Sequence, residues 1–451
     1  MKKRLGLFDA TAINVGAIIG GGIFVVTGIV AGLAGSALII SMVLAAVTSL
    51  FTALSYAELV AWLPEEGSIY EYGYRLISPA AGFLGGWMWI ISNIFSGAAV
   101  ALGFGNYLSA LVPGLSPSII AAVACVAFTA LNYLGIQHSA ELNNLLVVSK
   151  LIILSFFVAF GLLFVNVGNF QPFNPVSTGV LYGAFYIFFA YGGFARVAVV
   201  AEEIKDAKRV VPRAIVLSLL ISTLFYIAVG LVAVGLVGAG SLSGSGHPLA
   251  LAMEATGNQT AVLLISVGGI ISTASVLLTS ILGVSRLGFA MSRRGDFPSS
   301  LSRLNPRFGT PSVSVIASGA IMICLALFVD LSNVVAVSTF AMLFYYGVGN
   351  FAAIKLPKEE RRYPTYISLL GTVSCFIFLI FALFLAPQAW VAGLIGLGVG
   401  GAYFLLIRWK KRKSKELSCT RCSKMAGKWV LNTLSQSPAQ RNALRLRDHV
   451  I

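Results

Sequence analysis

Charge is scarce in this chain. Only 10% of its 451 residues are Asp, Glu, Lys or Arg and 58% are hydrophobic, where a soluble domain holds roughly 25% charged and 45–50% apolar residues. So little charge excludes an ordinary soluble domain, and an integral membrane protein is expected; the mean hydropathy of +0.90 agrees. Histidine is scarcer still, at three residues. None of the three stands near a partner suggestive of catalysis, and neither a nucleotide-binding loop nor a nucleophile elbow is present, which argues against a membrane enzyme. Of five cysteines, Cys125, Cys324 and Cys375 fall in apolar runs, where cysteine behaves as a small hydrophobe. Cys419 and Cys422 form a C-x-x-C in a polar tail. A zinc site needs about four ligands, and the tail adds only His449, so reduced thiols are expected there, and no metal or cofactor.

Acidic residues are the scarcer sign, 16 against 31 basic, for a net charge of +15. A basic excess suggests nucleic acid only when it is gathered on a soluble face, and here its placement follows membrane topology. Apolar runs of about 20 residues fall at 7–33, 36–61, 83–110, 116–135, 141–165, 177–200, 212–238, 261–291, 311–330, 332–354, 365–386 and 389–408. With the N-terminus inside, Lys2, Lys3, Arg4, Arg75, Lys205, Lys208, Arg209, Arg213, Arg293, Arg294, Arg303, Arg307, Lys355, Lys358, Arg361, Arg362 and the cluster from 408 to 415 are all cytoplasmic. The opposite loops carry no Lys or Arg. The asymmetry predicts cytoplasmic N- and C-termini and a multi-pass protein of the plasma membrane, with anionic lipid as a second use of the basic residues. The first apolar run is too long for a cleavable signal peptide, so it is expected to remain.

Glycine is placed where a plain membrane helix would be unbroken. Gly16-Ala17-Ile18-Ile19-Gly20-Gly21-Gly22-Ile23-Phe24 interrupts the first apolar run, and Phe189-Ala190-Tyr191-Gly192-Gly193-Phe194 interrupts the sixth. A helix unwinds in lipid only where the freed backbone groups face protein, water or a bound solute. Two breaks five segments apart point to two five-helix halves, related by inversion because five is odd, with a solute site between the breaks. The predicted fold class is an all-α membrane protein with 12 transmembrane helices, a 5+5 inverted repeat with discontinuous helices 1 and 6, and two extra C-terminal helices. Residues 1–165 and 166–354 would be the repeats, 355–410 helices 11 and 12, and 411–451 a cytoplasmic polar tail.

Two connections on the predicted cytoplasmic side are rich in aromatic, glycine and charged residues. One runs from Pro64 through Tyr70, Glu71 and Tyr74 to Trp87, and the other from Arg286 through Arg294 and Asp296 to Pro311. Both are read either as gates of the inward path or as packing loops. The chain resembles the amino acid, polyamine and organocation superfamily of secondary transporters, with its leucine-transporter-like five-plus-five repeat. The resemblance rests on Gly20-Gly21-Gly22-Ile23-Phe24, Glu66-Gly67-Ser68-Ile69-Tyr70-Glu71-Tyr72, Phe188-Phe189-Ala190-Tyr191-Gly192-Gly193-Phe194, Ala201-Glu202-Glu203-Ile204-Lys205, Pro212-Arg213-Ala214-Ile215 and Thr310-Pro311. It covers about residues 5 to 410.

An amino acid brings a carboxylate and an ammonium that must both be paired once desolvated. The backbone N–H groups of Gly20, Gly21, Gly22 and Ile23, at the positive end of the outer half-helix, suit the carboxylate; the competing reading of these glycines is close helix packing. The resemblance implies that the carbonyls of Ile18, Phe189 and Gly192 take the ammonium. Phe24, Tyr191 and Phe194 are expected on the side-chain wall. No carboxylate stands near it, and where many family members carry an acid this chain has Ala195, followed by Arg196, so a neutral amino acid, apolar or aromatic, is expected. Lys150 lies inside the fifth apolar run, where a lysine costs about 2.5–3.5 kcal/mol. It is read as the proton-coupling group, or else as a lysine snorkelling to the surface. By resemblance its ammonium takes the place of a sodium ion, beside the backbone around Gly16 and the hydroxyls of Ser272 and Ser275. Glu202 and Glu203 read as a solvated helix end, and Glu58 as facing either a gate cation or water.

The expected activity is proton-coupled symport of a neutral amino acid by alternating access, with an amino acid, a proton and the lipid bilayer as partners and no nucleic acid. An amino acid exchanger, with Lys150 as a fixed charge, is the nearest rival. A non-transporting amino acid sensor is another, though its short tail carries no signalling module.

Overall fold

The computed structural model describes residues 5–63, 69–112, 114–135, 140–194, 196–197 and 204–435. Residues 64–68 of the first connection, Ala195, Glu202, Glu203, His449 and the side chains of Cys419 and Cys422 lie outside what is described. The described residues are helical, with one isolated backbone bridge between Leu5 and Ile204. The first apolar run forms two helices, α1 (Leu7–Ile18) and α2 (Gly21–Ala34). After them come α3 (Leu38–Trp62), the short α4 (Ile69–Leu76), α5 (Pro79–Leu111), α6 (Pro117–Tyr133) and α7 (Ala140–Gly161). The second half holds α8 (Thr178–Tyr191), α9 (Ala207–Leu242), the short α10 (Pro248–Glu254), α11 (Gln259–Arg293), α12 (Ser312–Phe328) and α13 (Leu331–Ile354). It is followed by α14 (Thr365–Leu385) and α15 (Pro387–Ser435).

Eight helical stretches among the described residues are long and apolar enough to cross a membrane, one of them the run Leu7–Trp62 that contains α1 to α3. Pro117–Tyr133, Thr178–Tyr191 and Ser312–Phe328 are shorter apolar helices. Large apolar side chains such as Leu163, Leu224, Phe328 and Phe384 are exposed, as a lipid-facing surface requires. This is an all-helical integral membrane protein.

Local chemistry sets the helix ends. Ser78, Asn258 and Asp330 each accept the N–H three residues on, of Ala81, Ala261 and Asn333, at 3.1 Å, satisfying one of the free donors at the starts of α5, α11 and α13. Gly238 turns to a φ of 74° near the end of α9, a conformation open to glycine. Packing centres on α5, which lies against α11 and α13, and on α3, which lies against α8 and α9; α2 packs on α8 and α6 on α12. The described residues up to Gly398 form one compact unit and those from Val399 a second. In the second, Arg408 lies 5.1 Å from the centre of the Phe404 ring and Lys413 lies 5.2 Å from that of Trp409, cation–π pairs one helical turn apart.

Candidate functional site

Three glycines in succession cost a helix about 1 kcal/mol each relative to alanine, and here the helix gives way. Between α1 and α2, Ile19 takes φ −76°, ψ 67° and Gly20 takes φ −118°, ψ −136°. Gly20 N–H turns back to Ile18 O at 2.8 Å. The first N–H groups of α2 have no carbonyl within their own helix to bond. The second break follows Tyr191, where Gly192 N–H bonds to Phe189 O at 3.1 Å and Gly193 turns to a φ of +115°.

The two breaks are packed against each other. A Cβ on Gly22 would lie 2.5 Å from Ala190 Cα, and one on Gly193 would lie 2.9 Å from the carbonyl carbon of Ala17. Asn14 on α1 accepts the N–H of Val197 at 2.9 Å. Tyr226 on α9 joins them again, its hydroxyl 2.6 Å from Ile18 O and 2.8 Å from Ala190 O. A phenol has one proton to give, so the two carbonyls share one donor. Nothing in the residues around Tyr226 signals that role.

A cavity of about 40 Å³ lies at the meeting of the breaks, room for a few waters. Ala17, Ile18, Gly21 and Gly22 line it from the first break, and Phe189, Ala190, Gly192, Gly193 and Arg196 from the second. Its wall comes from other helices: Tyr56 of α3, Trp89 and Asn93 of α5, Val276 of α11, and Met342, Tyr345 and Tyr346 of α13.

The expected wall residues stand elsewhere. Phe24 lies three residues beyond Gly21, about 4.5 Å further along the helix, and packs edge-on against Tyr107, whose hydroxyl donates to Phe24 O at 2.9 Å. Tyr191 packs on Tyr226 at 5.0 Å, and Phe194 stacks on Tyr346 at 4.8 Å. All three are buried behind the lining rather than within it.

Lys150 does not snorkel. It is 1% exposed, and its Nζ lies 3.4 Å from Gly16 O, tying α7 to α1 just before the break. Ser272 and Ser275 of α11, expected beside it, make no hydrogen bond to it: Ser272 Oγ is buried without a partner, and Ser275 is only partly buried. Lysine's three donors thus meet one acceptor among the described residues.

A family model described as amino acid permease matches residues 5–400. The chain belongs to the amino acid permease family. Membership makes it a transporter and not an enzyme, and places it in the superfamily that its motifs resemble. It is 33% identical to the branched-chain amino acid permease of Bacillus subtilis (strain 168) over 385 residues, which cover 81% of this chain and 83% of the relative. It is 32% identical to the methylthioribose transporter of the same organism, over 90% of this chain and 94% of the relative. With the mouse cationic amino acid transporter 4 the identity is also 32%, over 81% of this chain and 61% of the relative.

Two further clusters of this permease lie away from the cavity. The two punctuated connections meet: Tyr70 of α4 donates to Asp296 at 2.7 Å, and Arg294 bonds Glu71 at 2.7 Å while lying over the Tyr70 and Tyr74 rings. Burial, and then the Asp296 carboxylate, push the Tyr70 phenol above its ordinary range, so it remains a donor. Glu58 does not face water, and the charge of Arg361 acts on it. It is 2% exposed and accepts the N–H groups of Arg362 and Tyr363 at 3.3 Å and the Ser368 hydroxyl at 3.4 Å, fixing the chain that leads into α14.

Proposed function

We propose that this permease is a proton-coupled secondary transporter that takes up a neutral amino acid by alternating access, the two interrupted helices rocking against a scaffold. One observation carries the reading: a lysine buried inside a membrane span, 3.4 Å from the carbonyl of Gly16, on the helix whose broken end lines the cavity. A proton-binding group where charge is expensive, set on α7 against the interrupted helix α1 that has to move, links proton binding to the shape of the site.

The substrate carboxylate goes to the N–H groups of Gly21, Gly22 and Ile23, joined by that of Gly20 once it leaves Ile18 O, and its ammonium to the carbonyls of Ile18, Phe189 and Gly192, with Tyr226 also ceding Ile18 O as the ammonium arrives. An apolar or aromatic portion of the side chain rests on Tyr56, Trp89, Met342 and Tyr346, with Phe24, Tyr191 and Phe194 as their backing. No carboxylate is among the described lining residues, which favours a neutral over a cationic substrate, as does the likeness to a branched-chain permease.

Taking Leu7–Trp62 as two crossings and each shorter apolar helix as one gives the twelve spans of this reading. Residues 1–165 and 166–354 are then the inverted repeats, 355–410 helices 11 and 12, and 411–451 the tail, in the plasma membrane with both termini cytoplasmic.

The test is uptake of a panel of labelled amino acids into proteoliposomes under an inward proton gradient, an inward sodium gradient, or neither. Accumulation of a neutral amino acid with the proton gradient alone is expected. Uptake that needs internal amino acid would identify an exchanger, and dependence on sodium would overturn the role of Lys150.

A further inference from the structure

The cavity has a charged residue that the account so far leaves without work. Arg196 follows the second break, lines the cavity, and is partly open rather than buried. Its Nη1 donates to Thr279 O of α11 at 3.1 Å and its Nη2 to Asn93 Oδ1 of α5 at 3.2 Å. Both acceptors are neutral. A guanidinium has five N–H donors, so three have no acceptor among the described residues. The side chain also runs beside Gly283, where an added Cβ would lie 3.2 Å from Nη1, and that glycine leaves the head group its space.

The charge around the cavity is one-sided. The buried carboxylates among the described residues are those of Glu58 and Asp296. Glu58 is held by Arg362, Tyr363 and Ser368, and Asp296 by Tyr70, and neither lines the cavity. Lys150 adds a second basic group behind the first break. A cation at a cavity wall without a countercharge is poorly compensated, and a ligand that brings an oxygen acceptor offsets that cost, whereas one that brings a second cation adds to it. Relatives of this chain carry names for branched-chain and for cationic amino acids, so membership of the family leaves charge selectivity open.

We propose that Arg196 is the specificity-determining residue of the cavity: its guanidinium takes a trigonal oxygen on the substrate's side chain, amide or carboxylate, and shuts out cationic side chains. The inference rests on the reading that this cavity takes the amino acid; it keeps the exclusion of cationic side chains and widens the accepted range from neutral to acidic ones. The apolar stem of the side chain lies along the aromatic wall while its terminal oxygen meets Arg196. The guanidinium's planar fork, already fixed by Thr279 and Asn93, presents its remaining donors with little ordering left to do.

Equilibrium binding to the purified full-length permease in detergent, with no ion gradient, tests this separately from proton coupling, because coupling can fail while the ranking stands. The probes are norleucine, glutamine, glutamate and lysine, chains of similar length that differ in the terminal group. Glutamine and glutamate are expected to bind about tenfold or more tightly than norleucine, as hydrogen bonds to a charged group require, and lysine not to bind. Arg196→Met should bring glutamine and glutamate down to the level of norleucine. Arg196→Lys, which keeps the charge and loses the fork, should still exclude lysine while weakening the preference for glutamine. The wild-type ranking stands by itself should a variant fail to fold. Norleucine binding as well as glutamine, lysine binding, no binding of any probe, or an equal loss of all ligands in Arg196→Met would each overturn the proposal.

Discussion

Replacing Lys150 with alanine is expected to abolish proton-driven accumulation of the substrate while exchange of internal for external amino acid continues. The lysine is 1% exposed and its described hydrogen bond goes to Gly16 O, two residues before α1 ends at Ile18, so removing it deletes the proposed proton-binding group while leaving the residues of the cavity lining in place. An uncoupled carrier still equilibrates its substrate but cannot concentrate it, so the accumulation ratio under an imposed proton gradient should fall to one. Lys150→Met fills most of the same volume and should give the same result, which separates loss of the titrating group from loss of packing. Two assays on the same proteoliposomes decide the matter: gradient-driven uptake, and counterflow with internal amino acid. Undiminished accumulation in either variant would remove Lys150 from the coupling mechanism, and equal loss of both activities would make it structural.

Gly22→Ala should be as damaging by a different route. The added methyl group would lie 2.5 Å from Ala190 Cα and 2.7 Å from its Cβ, and a backbone atom cannot swing aside as a side-chain tip can. The start of α2 and the end of α8 would have to separate, at about 1–3 kcal/mol or more, and the N–H groups proposed to bind the substrate carboxylate would move with them. Transport is expected to fall at least tenfold, since a misplacement of about 1 Å can cost a hundredfold. Gly398→Ala is the control: its Cβ would meet nothing within 4 Å, and uptake should not change. Wild-type uptake by the Gly22 variant would show that the two breaks need not touch for transport.

What the residues make legible and what they do not divide along physical lines. Three consecutive glycines in an apolar run, or two following an aromatic stretch, are expensive in any unbroken membrane helix, so the interruptions after Ile18 and Tyr191 could be read directly. A lysine among valines and leucines announces itself for the same reason. The cavity wall could not be read, because Tyr56, Trp89, Val276 and Tyr345 come from four helices of ordinary aromatic and aliphatic content and meet only on folding. Phe24 was expected on the wall because it follows the break closely, yet one helical turn carried it past the cavity to Tyr107. Tyr226 shares the problem of the wall: its hydroxyl serves carbonyls 36 and 208 residues away. Helix starts were misplaced where charge and helicity part company. The apolar run at 212 begins five residues after α9 does at Ala207, since Lys208 and Arg209 end a hydrophobic count without ending a helix.

The central claim, that substrate and proton cross together, is tested most directly by trapping a pH-sensitive dye inside proteoliposomes of the wild-type permease with no gradient imposed, and adding a transported neutral amino acid outside. The account predicts that the lumen acidifies on addition, at a rate that follows substrate concentration, and that it does not acidify with Lys150→Ala. Entry of the labelled amino acid with no change in internal pH would contradict it.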